Sequence, residues 1–205
     1  MLNRLDLRGV AAGADLVDAL PRPNIAGEGP RAAVRDIIAK VREHGDTALR
    51  ELTATFDKVE LDAIEVSAAD LDAAVAGLDP ELRAAMEAAA AGIEAFHAHQ
   101  VRKPERIESD GMTIVASQRP IGRAGLYVPG GRAEYPSTVL MTAVPARVAG
   151  VGEIVLCVPP SAEHGAIAPS VLAAARLSGV DRVFAVGGAQ AVAAMAYGTE
   201  TVPAV

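Results

Sequence analysis

Large rings are scarce in this sequence. Of 205 residues only 3% are aromatic, with three Tyr, three Phe and no Trp. Yet 51% are hydrophobic. Alanine and valine dominate, so the core must come from closely packed small helices and β-branched strands. Cysteine is nearly absent too. The single thiol, Cys157, excludes an internal disulfide framework and any cysteine-based zinc site. No apolar run approaches the roughly 18 residues of a membrane span. The start, MLNRLDLRGV, scatters charge through its apolar residues and is unlike a signal peptide. A basic stripe is missing as well: 19 Lys and Arg stand against 26 Asp and Glu, for a net charge of −7. Neither a nucleic-acid nor a membrane partner is expected, and the expected location is cytoplasmic. The acidity itself implies solubility.

What is present has a clear order. Residues 1–23 close on Pro21 and Pro23 and read as an arm. PRAAVRDIIAKVREHG then reads as a helix, with Val34, Ile37, Ile38 and Val41 on one face and Gly45 as its stop. Asp46 is placed to cap a second helix carrying Leu49, Leu52 and Phe56 on one side. A short strand is expected at residues 64–66. Ser67 and Asp70 have capping-box spacing for a helix over 68–77. Asp79-Pro80 opens a long helix to about Gln100, with Leu82, Met86, Ala89, Ile93 and Phe96 as its apolar stripe. Asp110-Gly111 reads as a type I′ hairpin turn.

Strands and helices then alternate. Strands are expected at 124–128, 154–158 and 182–186, and helices at 137–149, 168–178 and 189–197. The first of these helices contains Pro145 and the second stops at Gly179. This is the pattern of a parallel sheet covered by helices. IVLCV and RVFAV are continuously apolar, as strands buried on both faces should be. The expected fold is α/β: an incomplete Rossmann-like parallel sheet with helices on both faces, preceded by a helical region. The expected division is an arm (1–23), a helical part of a first α/β domain with the hairpin (24–122), and a Rossmann-like domain (123–205).

Two glycine turns fall at corresponding places in this alternation. Pro129-Gly130-Gly131 follows the first strand and Gly187-Gly188 follows the third. Both lie where open α/β sheets bind ligands, and both precede helix N-termini that favour anions. Tyr127 could stack on or hydrogen-bond a ligand, and Gln190 offers a donor and an acceptor. Equally, the glycines could serve only tight turns, with Tyr127 as ordinary core. On pattern alone the two readings stay open.

Other chemistry-bearing residues read as structural. Gly27-Glu28-Gly29-Pro30-Arg31-Ala32 has the form G-x-G-x-x-A, but it lacks a preceding strand and reads as a helix entry. His97 and His99 are two positions apart on a helix and diverge by about 200°. Glu94 and His97 match half of a di-iron pattern whose other half is missing. His44 fits a helix C-terminus, and His164 lies in a loop with no evident partner. Cys157 reads as an inert buried thiol, and Ser137 and Thr138 read as helix caps.

Longer segments carry a resemblance. RPIGRAGLYVPGGRAEYPSTVLMTAVPARVAGV and FAVGGAQAVAAMAYGTETVP are similar to the central signatures of histidinol dehydrogenase. VREHGDTALRELTATFD and IEAFHAHQ resemble that family's N-terminal helices. The likeness runs from about residue 30 to Val205 and looks like the family's N-terminal half. It implies an NAD-dependent, zinc-containing enzyme of histidine biosynthesis. That enzyme oxidises L-histidinol through L-histidinal to L-histidine, and it works as an intertwined homodimer. The family's NAD-contacting tyrosine and glutamine match Tyr127 and Gln190, which makes Gly130, Gly131, Gly187 and Gly188 part of a cofactor site. The zinc ligands, the catalytic Glu-His pair and a further NAD-contacting asparagine are expected beyond Val205. No catalytic or metal residue is assigned within the chain, which alone is expected to be inactive. Two other readings are a nucleotide- or partner-binding module without catalysis, and a different dehydrogenase of the aldehyde dehydrogenase type.

Overall fold

The computed structural model describes residues 5–8, 20, 28–130 and 133–205. Most of the expected arm, and Gly131, lie outside the described residues. The chain divides into residues 1–35 and 36–205. In the first unit Arg8 Nε donates to Asp6 at 2.9 Å. Gly29 and Pro30 lie in the opening turn of a helix, so the glycine-containing segment there is a helix entry.

Six helices and five strands are formed among the described residues. They are α1 (Glu28–Phe56), α2 (Ala68–Ala76), α3 (Pro80–Ala98), β1 (Glu105–Ser109), β2 (Met112–Ala116), β3 (Arg123–Tyr127), α4 (Pro136–Val148), β4 (Glu153–Cys157), α5 (Pro169–Ser178), β5 (Arg182–Phe184) and α6 (Gly188–Tyr197). Local chemistry sets several ends as the sequence implies. Ser67 Oγ accepts from the Asp70 N–H at 3.1 Å, and Asp79 accepts from the N–H groups of Glu81 and Leu82. Gly179 closes α5 in the left-handed region, at φ 77° and ψ 36°. Asp110 and Gly111 have φ of 48° and 78°, as a type I′ turn demands.

Strands β3, β4 and β5 form a parallel sheet in that order. Residues 64–66 lie antiparallel along β5: Val66 donates to Val183 O and Ala185 to Ile64 O, each at 2.8 Å. Arg182 holds this edge with a two-pronged pair to Glu65, both bonds 2.7 Å.

Alternation along the strands divides the core in two. Ile154, Leu156, Val158 and Val183 face a cluster with Leu71 of α2, Met86 of α3, Val139 of α4 and Val171 of α5. Val155, Cys157 and Phe184 face the opposite cluster, with Val41, Leu49 and Leu52 of α1 and Ala191 and Met195 of α6. Helices therefore cover both faces of the sheet. Since β4 is buried on both sides, it carries no polar residue after Glu153.

Four expectations are corrected. Asp46 does not cap a helix. Two helical stretches meet within Glu28–Phe56 at Gly45, whose φ 48° and ψ −128° are non-helical, so the expected stop at Gly45 is present. Asp46 is instead buried and accepts from Thr199 Oγ1 at 2.6 Å, from the Thr201 N–H at 3.2 Å and from Thr201 Oγ1. Its own N–H donates to Glu200 at 2.8 Å. Phe56 does not continue the apolar face of Leu49 and Leu52, because it is 57% exposed. The α3 stripe buries Met86, while Leu82 and Phe96 remain exposed. Finally, Tyr135, not Ser137 or Thr138, is the cap residue of α4, and no side chain bonds there.

The Asp46 clasp yields a pH prediction. Burial pushes its carboxyl pKa up, but the bonds from Thr199 and Thr201 and the Arg50 charge outweigh that and leave it below 3.8. A carboxylate depressed in the folded state stabilises above its unfolded pKa. That contribution is lost as pH falls through the lower, folded value. Acid titration of Asp46→Asn should therefore show lower stability than the unsubstituted protein at neutral pH, with the difference shrinking below about pH 4. A constant difference across this range would contradict the assignment.

Candidate functional site

The three parallel strands end together at Tyr127, Cys157 and Phe184. The loops that follow meet at Pro159. A Cβ on Gly130 would lie 2.6 Å from Pro159 Cγ, and one on Gly187 would lie 2.4 Å from Pro159 Cβ. Only glycine lets both turns close on the same proline ring. Tyr127 then links them: the Gly188 N–H donates to its Oη at 3.1 Å. Gly188 adopts φ 61°, in the left-handed region.

The structure thus brings Tyr127, Gly130, Gly187 and Gly188 together at one edge, with Gln190 close behind. The Gln190 side chain is 1% exposed, and its amide packs under Gly188. Its Oε1 has no hydrogen-bond partner. A buried polar atom left unpaired costs about 1–3 kcal/mol, so this position calls for a donor. No side chain caps α6, and no acidic residue sits in its first turn. Free N–H groups and the positive dipole end therefore face the loop junction.

Beside this junction lies a cleft of about 490 Å³. Tyr127, Gly130, Pro159 and Gly188 form one side, and Phe56 and Asp57 come from the end of α1. Sequence reasoning missed these two. One signal was available: a carboxylate just past a helix C-terminus is electrostatically unfavourable. Burial pushes the Asp57 carboxyl pKa up, and its Oδ2 has no hydrogen-bond partner.

A larger cleft, about 760 Å³, borders residues 60–66 and α2. Several of its polar groups are already committed. Glu65 binds Arg182, Asp70 takes the Ser67 hydroxyl at 2.6 Å, and His164 contacts Glu134 at 3.3 Å. That last contact corrects the reading of His164 as partnerless. Glu134 also accepts from Ser170 Oγ, tying the loop before α4 to the first turn of α5.

The remaining candidates have local partners. His97 Nδ1 lies 2.7 Å from Gln100 Oε1, and His99 Nδ1 lies 2.7 Å from Ala95 O. Glu94 accepts from Arg147 at 3.1 Å. Cys157 is fully buried, and burial pushes its thiol up to about 12, so it is no nucleophile at neutral pH. Among the described residues, no group of three or more His, Cys, Asp and Glu side chains could hold a metal ion.

Fold and turns together define an α/β protein whose two glycine turns meet at the carboxyl ends of its parallel strands. Comparison with known proteins makes this specific. The family model for histidinol dehydrogenase matches residues 20–205. A histidinol dehydrogenase from Xanthomonas euvesicatoria pv. vesicatoria is 53% identical over 193 residues, covering 93% of this chain and 44% of that protein. One from Ralstonia nicotianae is 48% identical over 212 residues, covering 100% of this chain and 48% of that protein. The crystal structure of histidinol dehydrogenase from Elizabethkingia anophelis superposes with a TM-score of 0.84 at 39% identity, covering 90% of this chain and 42% of that one. The chain belongs to the histidinol dehydrogenase family, and it spans less than half the length of these relatives.

Proposed function

We propose that these residues are the NAD-contacting part of a histidinol dehydrogenase, an enzyme that oxidises L-histidinol through L-histidinal to L-histidine with two NAD. The observation that carries this reading is the bond from the Gly188 N–H to Tyr127 Oη. It joins two glycine turns, far apart in sequence, into one surface at a helix N-terminus.

The residues present fit a dinucleotide. Gly130, Gly187 and Gly188 allow backbone to approach a pyrophosphate closely, and the start of α6 supplies N–H groups to it. Tyr127 is 37% exposed and offers its ring and hydroxyl to the cleft. Gln190 lies beneath the turn, with an unpaired acceptor for a ligand donor or a bridging water. Gly131, outside the described residues, belongs to the same turn and is proposed with it. NAD, when bound, supplies the hydride acceptor. This chain's residues bind and orient it.

The described residues do not fit zinc, and no step is derived through that metal. The proton acceptor for the alcohol is likewise not assigned to any of them. Turnover therefore belongs to a protein that also holds the remainder of the family's length. There residues 24–122 and 123–205 would be parts of two α/β domains, working as a cytoplasmic homodimer.

Tyr127→Ala and Gln190→Ala should each weaken NAD binding in the intact enzyme by about tenfold, the worth of one to two hydrogen bonds. Calorimetric titration reads this directly. Unchanged affinity in both variants would refute the site.

A further inference from the structure

Helix α6 has a smooth buried face. The side chains it buries are Gln190, Ala191, Ala193, Ala194 and Met195. Alanine makes shallow ridges, so packing does little to fix where the helix lies along its own axis. Its two ends must do that. At the first end the Gly187 turn rests on Pro159, and the Gly188 N–H bonds Tyr127. At the second, 10 residues and about 15 Å away, the chain turns at Gly198 and closes on the middle of α1.

That closure runs in both directions. Asp46 accepts from the Thr199 and Thr201 hydroxyls and from the Thr201 N–H. In return the Glu200 carboxylate accepts from the Asp46 N–H at 2.8 Å. Gly45 makes room for it, since a Cβ there would overlap the carboxylate. Asp46 opens the second helical stretch of α1, so Glu200 caps that stretch from 154 residues away. Arg182 also donates to Thr201 O at 3.1 Å and ties the turn to β5. Asp46 is buried, so losing one partner leaves buried polar groups unpaired. Ending α6 needs none of this. The Gly198 N–H already bonds Ala194 O at 2.7 Å. The cross-links serve instead to lock α6 against α1, with which it shares one core cluster.

We propose that Glu200 and Asp46 are positioning residues for the dinucleotide site: their clasp sets the axial position of α6, and with it the N–H groups at the opposite end that meet the pyrophosphate. This rests on the dinucleotide reading of the loop junction. The Gly188 bond to Tyr127 is 3.1 Å long, so a slide of α6 by about 1 Å along its axis takes it out of hydrogen-bond range.

The test is calorimetric titration of the intact enzyme with NAD, together with steady-state kinetics. Glu200→Ala should weaken NAD binding about tenfold. It should raise the KM for NAD in step and leave kcat and the KM for histidinol within about twofold. Glu200→Gln keeps an oxygen acceptor for the Asp46 N–H and should bring NAD affinity back to within about threefold of the unsubstituted protein. A clasp that only stabilises would lower the Tm of Glu200→Ala and leave its NAD affinity unchanged, and that result overturns the proposal. Thr201→Val removes one hydroxyl from Asp46 at nearly constant shape, so it decides the matter if Glu200→Ala does not fold. A loss of NAD affinity of about threefold or more in Thr201→Val supports the clasp, and unchanged affinity overturns it. Should Tyr127→Ala lose NAD affinity while Glu200→Ala and Thr201→Val keep it, the positioning role is wrong and the cofactor reading stands. Should the unsubstituted protein bind no NAD, both fall.

Discussion

Alanine at Gly187 is expected to lower NAD affinity by tenfold or more in the intact enzyme while the protein still folds. The added Cβ would sit 2.4 Å from Pro159 Cβ, a separation that real carbon atoms do not tolerate. Pro159 is a closed ring and cannot swing aside as a flexible side chain would. The turn itself must move, and overpacking of this kind costs about 1–3 kcal/mol. The displacement acts on the N–H groups at the start of α6 and on the bond between Gly188 and Tyr127. The control is Gly92→Ala. Gly92 lies inside α3 with nothing within 4 Å of its added Cβ, so alanine there should stabilise by about 0.5–1 kcal/mol and leave NAD affinity alone. Equal NAD affinity in Gly187→Ala and Gly92→Ala would show that the turn has no part in binding.

Removing the ring of Phe184 should produce the largest loss of stability. Phe184 is fully buried. It sits on β5 in the cluster shared by α1 and α6, with the Arg182 guanidinium 5.0 Å from its ring centroid. The chain is poor in aromatics, and its small neighbours Ala191, Ala194 and Val155 cannot expand into the space. Phe→Ala at such a site costs about 3–5 kcal/mol. In a unit of this size that is a fall in Tm on the order of 10 °C. Phe184→Leu, which keeps most of the volume, should recover much of it. A Phe184→Ala melting point within 2 °C or so of the starting protein would contradict the two-cluster description of the core.

Local chemistry was legible in the sequence, and contacts between distant segments were not. Ser67, Asp79, Gly179 and the Asp110-Gly111 turn all act within a few residues of themselves, so their roles could be read from spacing. The strand and helix alternation after residue 122 was equally plain, because burial on both faces leaves a continuous apolar run. Asp46 shows the limit. Its spacing fits an N-cap, but its partners Thr199 and Thr201 lie more than 150 residues away. His164 likewise finds Glu134 at a separation of 30 residues. At the candidate site, the glycine turns and Tyr127 stood out because backbone geometry restricts residue choice there. Phe56 and Asp57 carry no such restriction and belong to no motif. Only the fold sets the end of α1 beside those turns.

One measurement bears most directly on the central claim that the two glycine turns form one half of a dinucleotide site. It is a crystal structure of the intact enzyme with NAD. The account predicts a pyrophosphate against the start of α6 and the Gly130 turn, with Tyr127 in contact with the cofactor. Cofactor density elsewhere in the molecule, with Tyr127 and Gly188 still bonded to each other and touching no ligand, would contradict it.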